Sequence, residues 1–400
     1  MVDPRYLSAR EAAAELGISL PTLYAYVSRG LIRSEGKFGS RQRLYRAEDV
    51  RALLDRRDRD RGAEEEARAA LKAGPPVLDS AITLITADRI YYRGRDLARL
   101  AEDGSVESVA ALLWDCDAED PFAQPPPVAP AGFEAALGAA SGLAPIERAQ
   151  ALLPIVLGAE PTSFNLTPAG VARTGARVVR WLAALLAGRT VSAAPIHSAL
   201  AEAWNVDGPA AALVRAALVA CMDHELNAST FTVRVVASTG ATPVGAVAAG
   251  LAALRGPRHG GMTERVGAVL PALLAEADPA AALADRLRRG DDLPGFGHPL
   301  YPDGDPRARI LLHLLDRAYP RDPMLSSAKR LAAAARDIAG QPPTIDFALV
   351  LLAHRLDLPA SAPLTLFATG RSVGWIAHAM EQYQTGSLIR PRARYVGAHP

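Results

Sequence analysis

The chain has 400 residues, half of them apolar, with charges that nearly cancel at +1. That length exceeds one compact core and predicts at least two domains, and the charge balance excludes a polyanion binder acting through its whole surface, leaving any nucleic-acid affinity to a local patch. Only Cys116 and Cys221 are present, without metal-type spacing, and no run is long and apolar enough for a leader or a membrane span, so the expected setting is a reducing cytoplasm without disulfides, zinc or membrane.

The first predicted element is a helix opened by a capping box, Ser8 to Glu11, and broken at Gly17. Ser19 caps a second helix with Pro21 in its first turn, Leu23 and Val27 on one face, and Gly30 as its stop. Lys37 to Tyr45 then alternates like a short hairpin, so the segment reads as a winged helix-turn-helix. Arg29, Arg33, Lys37, Arg41, Arg43 and Arg46 face a lone Glu35, a basic patch suited to phosphates, while the second helix offers Thr22, Tyr24 and Tyr26. The alternative is an ordinary solvated face on a small protein-docking module. The "GLI" after the second helix and the later "RLYRAEDV" make Tyr6 to Val50 resemble the MerR and excisionase type of winged domain. That resemblance implies DNA contact through Thr22, Tyr24, Tyr26, Arg29, Lys37, Arg41 and Arg43.

Residues 58–76 are charge-laced, helix-prone and closed by Gly74-Pro75-Pro76, which predicts a helical linker after a domain over residues 1–57. Leu97, Leu100, Val106, Val109, Leu112 and Leu113 then recur at helical spacing, and Pro121 to Pro130 is a proline-rich loop. Val171 to Leu186, Ala210 to Cys221, Val244 to Leu254 and Arg307 to Ala318 carry the same period with few alternating stretches, so the body is expected to be mainly helical. Ala246, Ala249, Gly250 and Ala253 would let helices approach closely.

Five polar clusters interrupt these helices: Asp223-His224-Glu225 with Asn227, Arg258-His259-Gly260-Gly261, Gly295-Phe296-Gly297-His298, Ile345-Asp346-Phe347 and Gly370-Arg371-Ser372. The glycines beside His259 are expected to admit a ligand to the backbone. Each histidine alone reads as a structural one at a turn. Asp346 amid Ile345, Phe347, Ala348 and Leu349 is different, because a carboxylate there is costly unless partnered or used. No pair has zinc-hydrolase spacing, and no Gly-x-Ser-x-Gly elbow or phosphate-cradling fingerprint occurs.

In order, "DHELNASTF", "GPRHGG", "GFGHPLYPDGDPRA", "IDFAL", "SVGWIAHAMEQ" and "RPRARYVG" resemble the citrate synthase family, and "YYRGRDLARLAEDGSVESVAALLW" extends the likeness back toward Leu78. The resemblance implies an all-α fold with a large domain in two parts, residues 77–240 and 348–400, around a small domain at 241–347, in a homodimer. It implies condensation of acetyl-coenzyme A, or another short acyl thioester such as the propionyl one, with oxaloacetate or a related 2-oxo acid, the coenzyme A thioester being a co-substrate and no cofactor being permanently bound. It assigns Asp346 as base, His259 as donor to the thioester oxygen and His298 as donor to the keto group. It makes His224, Arg307, Arg371 and a neighbouring subunit's Arg390 the ligands of the oxo acid. Two departures stand out. The family's "HGGANE" is here His259-Gly260-Gly261-Met262-Thr263-Glu264, and Pro299-Leu300-Tyr301-Pro302 lacks the usual positive charge after the second histidine, which leaves Arg258 or Arg255 for the coenzyme's phosphates. With the N-terminal module, a metabolite-sensing DNA-binding regulator on the same scaffold is the alternative reading.

Overall fold

A computed structural model describes residues 6–36, 43–54, 78–116, 120–158, 160–391, 393 and 395–398. The expected linker, 58–76, and Lys37 and Arg41 lie outside the described residues. The chain divides into two compact units, Met1–Leu78 with Arg390–Pro400, and Asp79–Ile389.

In the first unit, β1 (Tyr6–Ser8) leads into α1 (Ala9–Leu16), followed by α2 (Leu20–Ser28), β2 (Ser34–Gly36), β3 (Arg43–Arg46) and a helix α3 over 47–54. The capping box forms as the sequence requires: the Ser8 hydroxyl accepts from Glu11 N and Glu11 accepts from Ser8 N. Gly17 then leaves the helix at a left-handed φ of 62°. The strands form one antiparallel sheet in the order β1-β3-β2, and Ala12, Leu16, Leu23, Ile32, Tyr45 and Val50 close a small core. The basic patch is smaller than its sequence suggests. Arg33 forks onto Asp49 (2.9 and 2.7 Å) and Arg46 binds Glu35 (3.1 Å), so two of the expected phosphate ligands are engaged within the unit. Tyr26 packs against the core and the Thr22 hydroxyl sits 2.8 Å from the capping Ser19, whereas Tyr24, Arg29 and Arg43 are exposed.

The second unit opens with a three-stranded antiparallel sheet, β4 (Thr83–Ile85), β5 (Ile90–Tyr92) and β6 (Arg95–Asp96), which the helical periodicity had not signalled. Helices follow: α4 (Leu97–Asp103), α5 (Val106–Leu113), α6 (Phe133–Ala139), α7 (Pro145–Leu157), α8 (Pro168–Ala187), α9 (Ile196–Ala203), α10 (Gly208–Cys221), α11 (Ala228–Ala237), α12 (Pro243–Leu254), α13 (Met262–Ala275), α14 (Pro279–Arg288), α15 (Pro306–Ala318), α16 (Pro323–Ala339), α17 (Ile345–Arg355) and α18 (Ala362–Thr385). The fold is therefore mostly helical. Thr167 caps α8, Pro168 occupies its first turn and Gly188 leaves it in the left-handed region, the grammar expected of a helix start and stop.

The organising element is α18, buried along nearly its whole length and packed against α8, α10, α11 and α12. Its glycines set how close those helices come. A Cβ at Gly370 would strike the Leu218 carbonyl of α10, and one at Gly374 would strike the Met222 carbonyl and the Asp223 carboxylate. Gly250 of α12 likewise makes room for Trp375, and Gly175 of α8 for Ile376. Trp114 and Trp375, both fully buried, keep their N–H groups satisfied, donating to the Val373 carbonyl (2.9 Å) and the Ser229 hydroxyl (3.2 Å). No helix among the described residues is long and apolar enough to cross a membrane.

Candidate active site

Six segments of the second unit converge on one cleft of about 540 Å³: the 222–227 loop between α10 and α11, the turn before α13, the 294–305 loop, the first turn of α15, the first turn of α17 and the middle of α18. His224, His259, His298, Arg307, Asp346 and Arg371 all line it. Arg390 lies in the first unit and is exposed.

Asp346 occupies the first turn of α17, where unpaired helix amides favour an anion. Thr344 Oγ1 lies 3.4 Å from its Oδ2, and its Oδ1 is buried without a hydrogen-bond partner. Desolvation outweighs the pull of Arg307 and pushes its carboxyl up to about 6. The neighbouring loop is fastened to the same turn: Thr344 N donates to the Gly295 carbonyl (2.9 Å) and Gly297 N to Pro342 (2.8 Å). Gly295 and Gly297 hold φ values of 86° and 73°, a path that a side chain would strain, and this path delivers His298.

The imidazoles have distinct settings. His298 Nδ1 accepts from Leu300 N at 3.2 Å, so the neutral ring carries its proton on Nε2. His224 Nε2 meets the Tyr301 hydroxyl at 2.6 Å, and the His224 and His298 rings stand edge to face 5.6 Å apart. His259 Nε2 meets the Ser229 hydroxyl at 2.8 Å. Burial, reinforced by Arg307, lowers all three, and Arg371 adds to the effect at His224 and His259; His259 falls to about 4 and His224 well below its ordinary value, so each is neutral at pH 7. The single Ser229 proton selects the His259 tautomer. Given to Nε2, it leaves the ring N–H on Nδ1; given to Asn227 Oδ1, 2.8 Å away, it leaves the ring N–H on Nε2.

The two arginines also differ. Arg307 is answered by Asp305, which takes its Nε (3.0 Å) and Nη2 (2.7 Å), caps α15 and accepts from Ile345 N (3.0 Å), locking the starts of α15 and α17 together. Arg371, 1% exposed, donates Nε to the Cys221 carbonyl (2.9 Å), while its Nη2 is buried without a hydrogen-bond partner. A buried cation left in that state is a site for an incoming anion.

Two expectations need correction. The glycines after His259 do not open the backbone to a ligand: a Cβ at Gly260 would strike Leu254 and one at Gly261 the Arg255 carbonyl, so they serve the tight turn leaving α12. Arg255 is ion-paired with Glu147 and absent from the cleft lining, whereas Arg258 is exposed at the cleft. Ser229, Tyr301 and Asp305 were not singled out from sequence. Only the polar run around His224 and the "YPDGDPR" stretch hinted at them. Among the described residues no group of three or more histidine, cysteine, aspartate or glutamate side chains could hold a metal ion.

The model of the family described as citrate synthase, C-terminal domain, matches residues 168–392, and that of a helix-turn-helix domain matches residues 6–58. A relative called putative citrate synthase 2, from Mycobacterium tuberculosis, is 36% identical over 189 residues, 46% of this chain and 50% of that one. The chain thus spans about half the length of the curated relatives it matches. The crystal structure of citrate synthase from Thermotoga maritima superposes with a TM-score of 0.67 at 26% identity, over 82% of this chain and 95% of that one. Citrate synthase from Thermoplasma acidophilum, solved as a ternary complex with carboxymethyl coenzyme A and oxaloacetate, gives 0.65 at 21% identity over the same shares, a likeness of fold alone.

Proposed function

The chain belongs to the citrate synthase family, and on that premise we propose that it condenses a short acyl-coenzyme A, acetyl or propionyl, with oxaloacetate or a similar 2-oxo acid. The observation that carries the reading is the convergence of Asp346, His259, His298, His224, Arg307 and Arg371 on one cleft. Asp346 takes a proton from the carbon beside the thioester. The C–H electrons become the enol double bond, and His259, with its proton on Nδ1, donates to the enol oxygen. The enol carbon then attacks the keto carbon while the His298 Nε2–H supports the oxygen that gains charge. Water finally cleaves the thioester and frees the thiol. Arg371 holds one carboxylate and Arg307, with His224, the other end of the acid, and Arg390 of the partner subunit completes the set in a homodimer. We assign residues 241–347 to a small domain that closes the cleft against 77–240 and 348–400 and keeps water out until condensation is done. The Thermoplasma protein's two bound ligands support this pairing of substrates, and a reducing cytoplasm supplies both. Purified chain given oxaloacetate and either thioester should release free thiol, and Asp346→Ala should abolish it; no release with any short acyl donor defeats the reading.

A second reading rests on the helix-turn-helix match over residues 6–58 and the exposed Tyr24, Arg29 and Arg43. In it the body senses a dicarboxylate or thioester and the N-terminal unit contacts DNA, with Lys37 and Arg41 adding charge. The two readings are compatible. A gel shift on the gene's own upstream region tests the second, which fails if a Lys37, Arg41 and Arg43 alanine triple variant binds as well as wild type.

A further inference from the structure

Behind the cleft, out of reach of its contents, runs a line of buried polar groups that the chemistry above does not use. His378 of α18 is fully buried and does not line the cleft. Arg234 of α11, 2% exposed, directs Nη1 to His378 Nδ1 at 3.3 Å. A guanidinium only donates, so Nδ1 accepts and the neutral ring carries its proton on Nε2. That nitrogen lies 3.1 Å from Asp223 Oδ1, a close approach that departs from a straight hydrogen bond. The other Asp223 oxygen accepts from Glu225 N at 3.1 Å, and Glu225 sits in the left-handed region at φ 52°. Between these two residues is His224, whose ring enters the cleft. The turn is seated directly on α18: Gly374 N donates to the Met222 carbonyl at 3.2 Å, and any Cβ at Gly374 would displace the Asp223 carboxylate. Arg234 is anchored in turn by Glu381 (2.9 Å) and Gln382 (3.1 Å), so the line ends in fixed groups on α18.

We propose that His378 is a positioning residue for the 2-oxo acid: it passes the donor of Arg234 on to Asp223 and so fixes the turn that presents His224 to the cleft. The proposal rests on the condensing reading only in taking the oxo acid as the ligand of His224. Glutamine and asparagine separate the two ring nitrogens, because the amide nitrogen of glutamine stands where Nε2 stands and that of asparagine where Nδ1 stands. His378→Gln should keep the KM for oxaloacetate within about threefold of wild type, and His378→Asn should raise it about tenfold or more while the KM for the thioester stays within about twofold, the scale of a misplaced binding group. Asparagine is a methylene smaller than glutamine, so denaturant unfolding of both variants accompanies the KM values, and a fold defect alone would move the KM for the thioester along with that for oxaloacetate. Equal behaviour of the two, or equal shifts in both KM values, overturns the proposal. Calorimetric titration with oxaloacetate gives the same discrimination without turnover. A wild type that binds oxaloacetate but frees no thiol sinks the condensing reading and leaves this test intact, whereas one that binds none overturns both.

Discussion

Asp346 concentrates the tension between stability and activity at one carboxyl. Its folded pKa of about 6 stands above the ordinary 3.8 because ionisation in the cleft is penalised by desolvation. A base must be unprotonated, so thiol release should rise as pH increases through about 6 and level off above it, with no second limb from His259, already neutral above about 4. The same shift has a stability consequence of opposite benefit. Below about pH 4 both folded and unfolded states hold the proton and the penalty is absent; above about pH 6 both have lost it and the penalty is complete. Asp346→Asn should therefore raise folding stability at pH 7 by about 1 to 3 kcal/mol, read by denaturant unfolding, while removing activity. Unchanged stability would mean that water in the open cleft already solvates the carboxylate. Ser229→Ala tests the other half of the proposed enol chemistry. With Ser229 gone, the hydroxyl that touches His259 Nε2 is lost, and kcat should fall about tenfold to a hundredfold with little change in the KM for oxaloacetate. Equal loss of binding and turnover would instead make Ser229 a packing residue.

Close helix approach decides the architecture of the second unit. Gly374→Ala inserts a methyl where α18 already donates to the Met222 carbonyl, and should destabilise by about 3 kcal/mol or more, read by denaturant unfolding, whereas Gly138→Ala, in open space on α6, should stay within about 1 kcal/mol of wild type. These elements were unequally legible in the sequence. Helices α8, α10, α12 and α15 announce themselves by apolar period and by Pro and Gly at their ends, and α1 by its capping box. The β4–β6 sheet does not, because strands of two and three residues are too short for alternation to register against the helical background. The same holds for the cleft. Asp346, His259 and His298 stand out as polar residues in apolar or glycine-rich settings, but Ser229 meets His259 across 30 residues and Tyr301 meets His224 across 77. No local pattern records such a partner. Arg33 and Arg46 look like free cations in a basic stretch until folding brings Asp49 and Glu35 against them.

At the scale of the whole molecule the chain joins two units of different character, a small mixed unit with a helix-turn-helix match and a large helical unit holding the cleft. If the first contacts DNA through Arg29, Lys37, Arg41 and Arg43, binding should weaken steeply with salt, and the Lys37, Arg41 and Arg43 triple alanine variant should lower the slope of log K against log salt by about 2 to 3. A slope near zero would favour protein docking instead. In the chemistry proposed for the second unit, a carboxylate and two imidazoles from separate segments generate and trap an enol. Proton exchange tests this before any carbon–carbon bond forms. In deuterium oxide, with a 2-hydroxy dicarboxylate filling the place of the ketone so that condensation cannot follow, wild type should wash deuterium into the methyl group of acetyl-coenzyme A. Asp346→Asn should slow that exchange by about a hundredfold or more, whereas exchange at the same rate in wild type and Asp346→Asn would contradict the account.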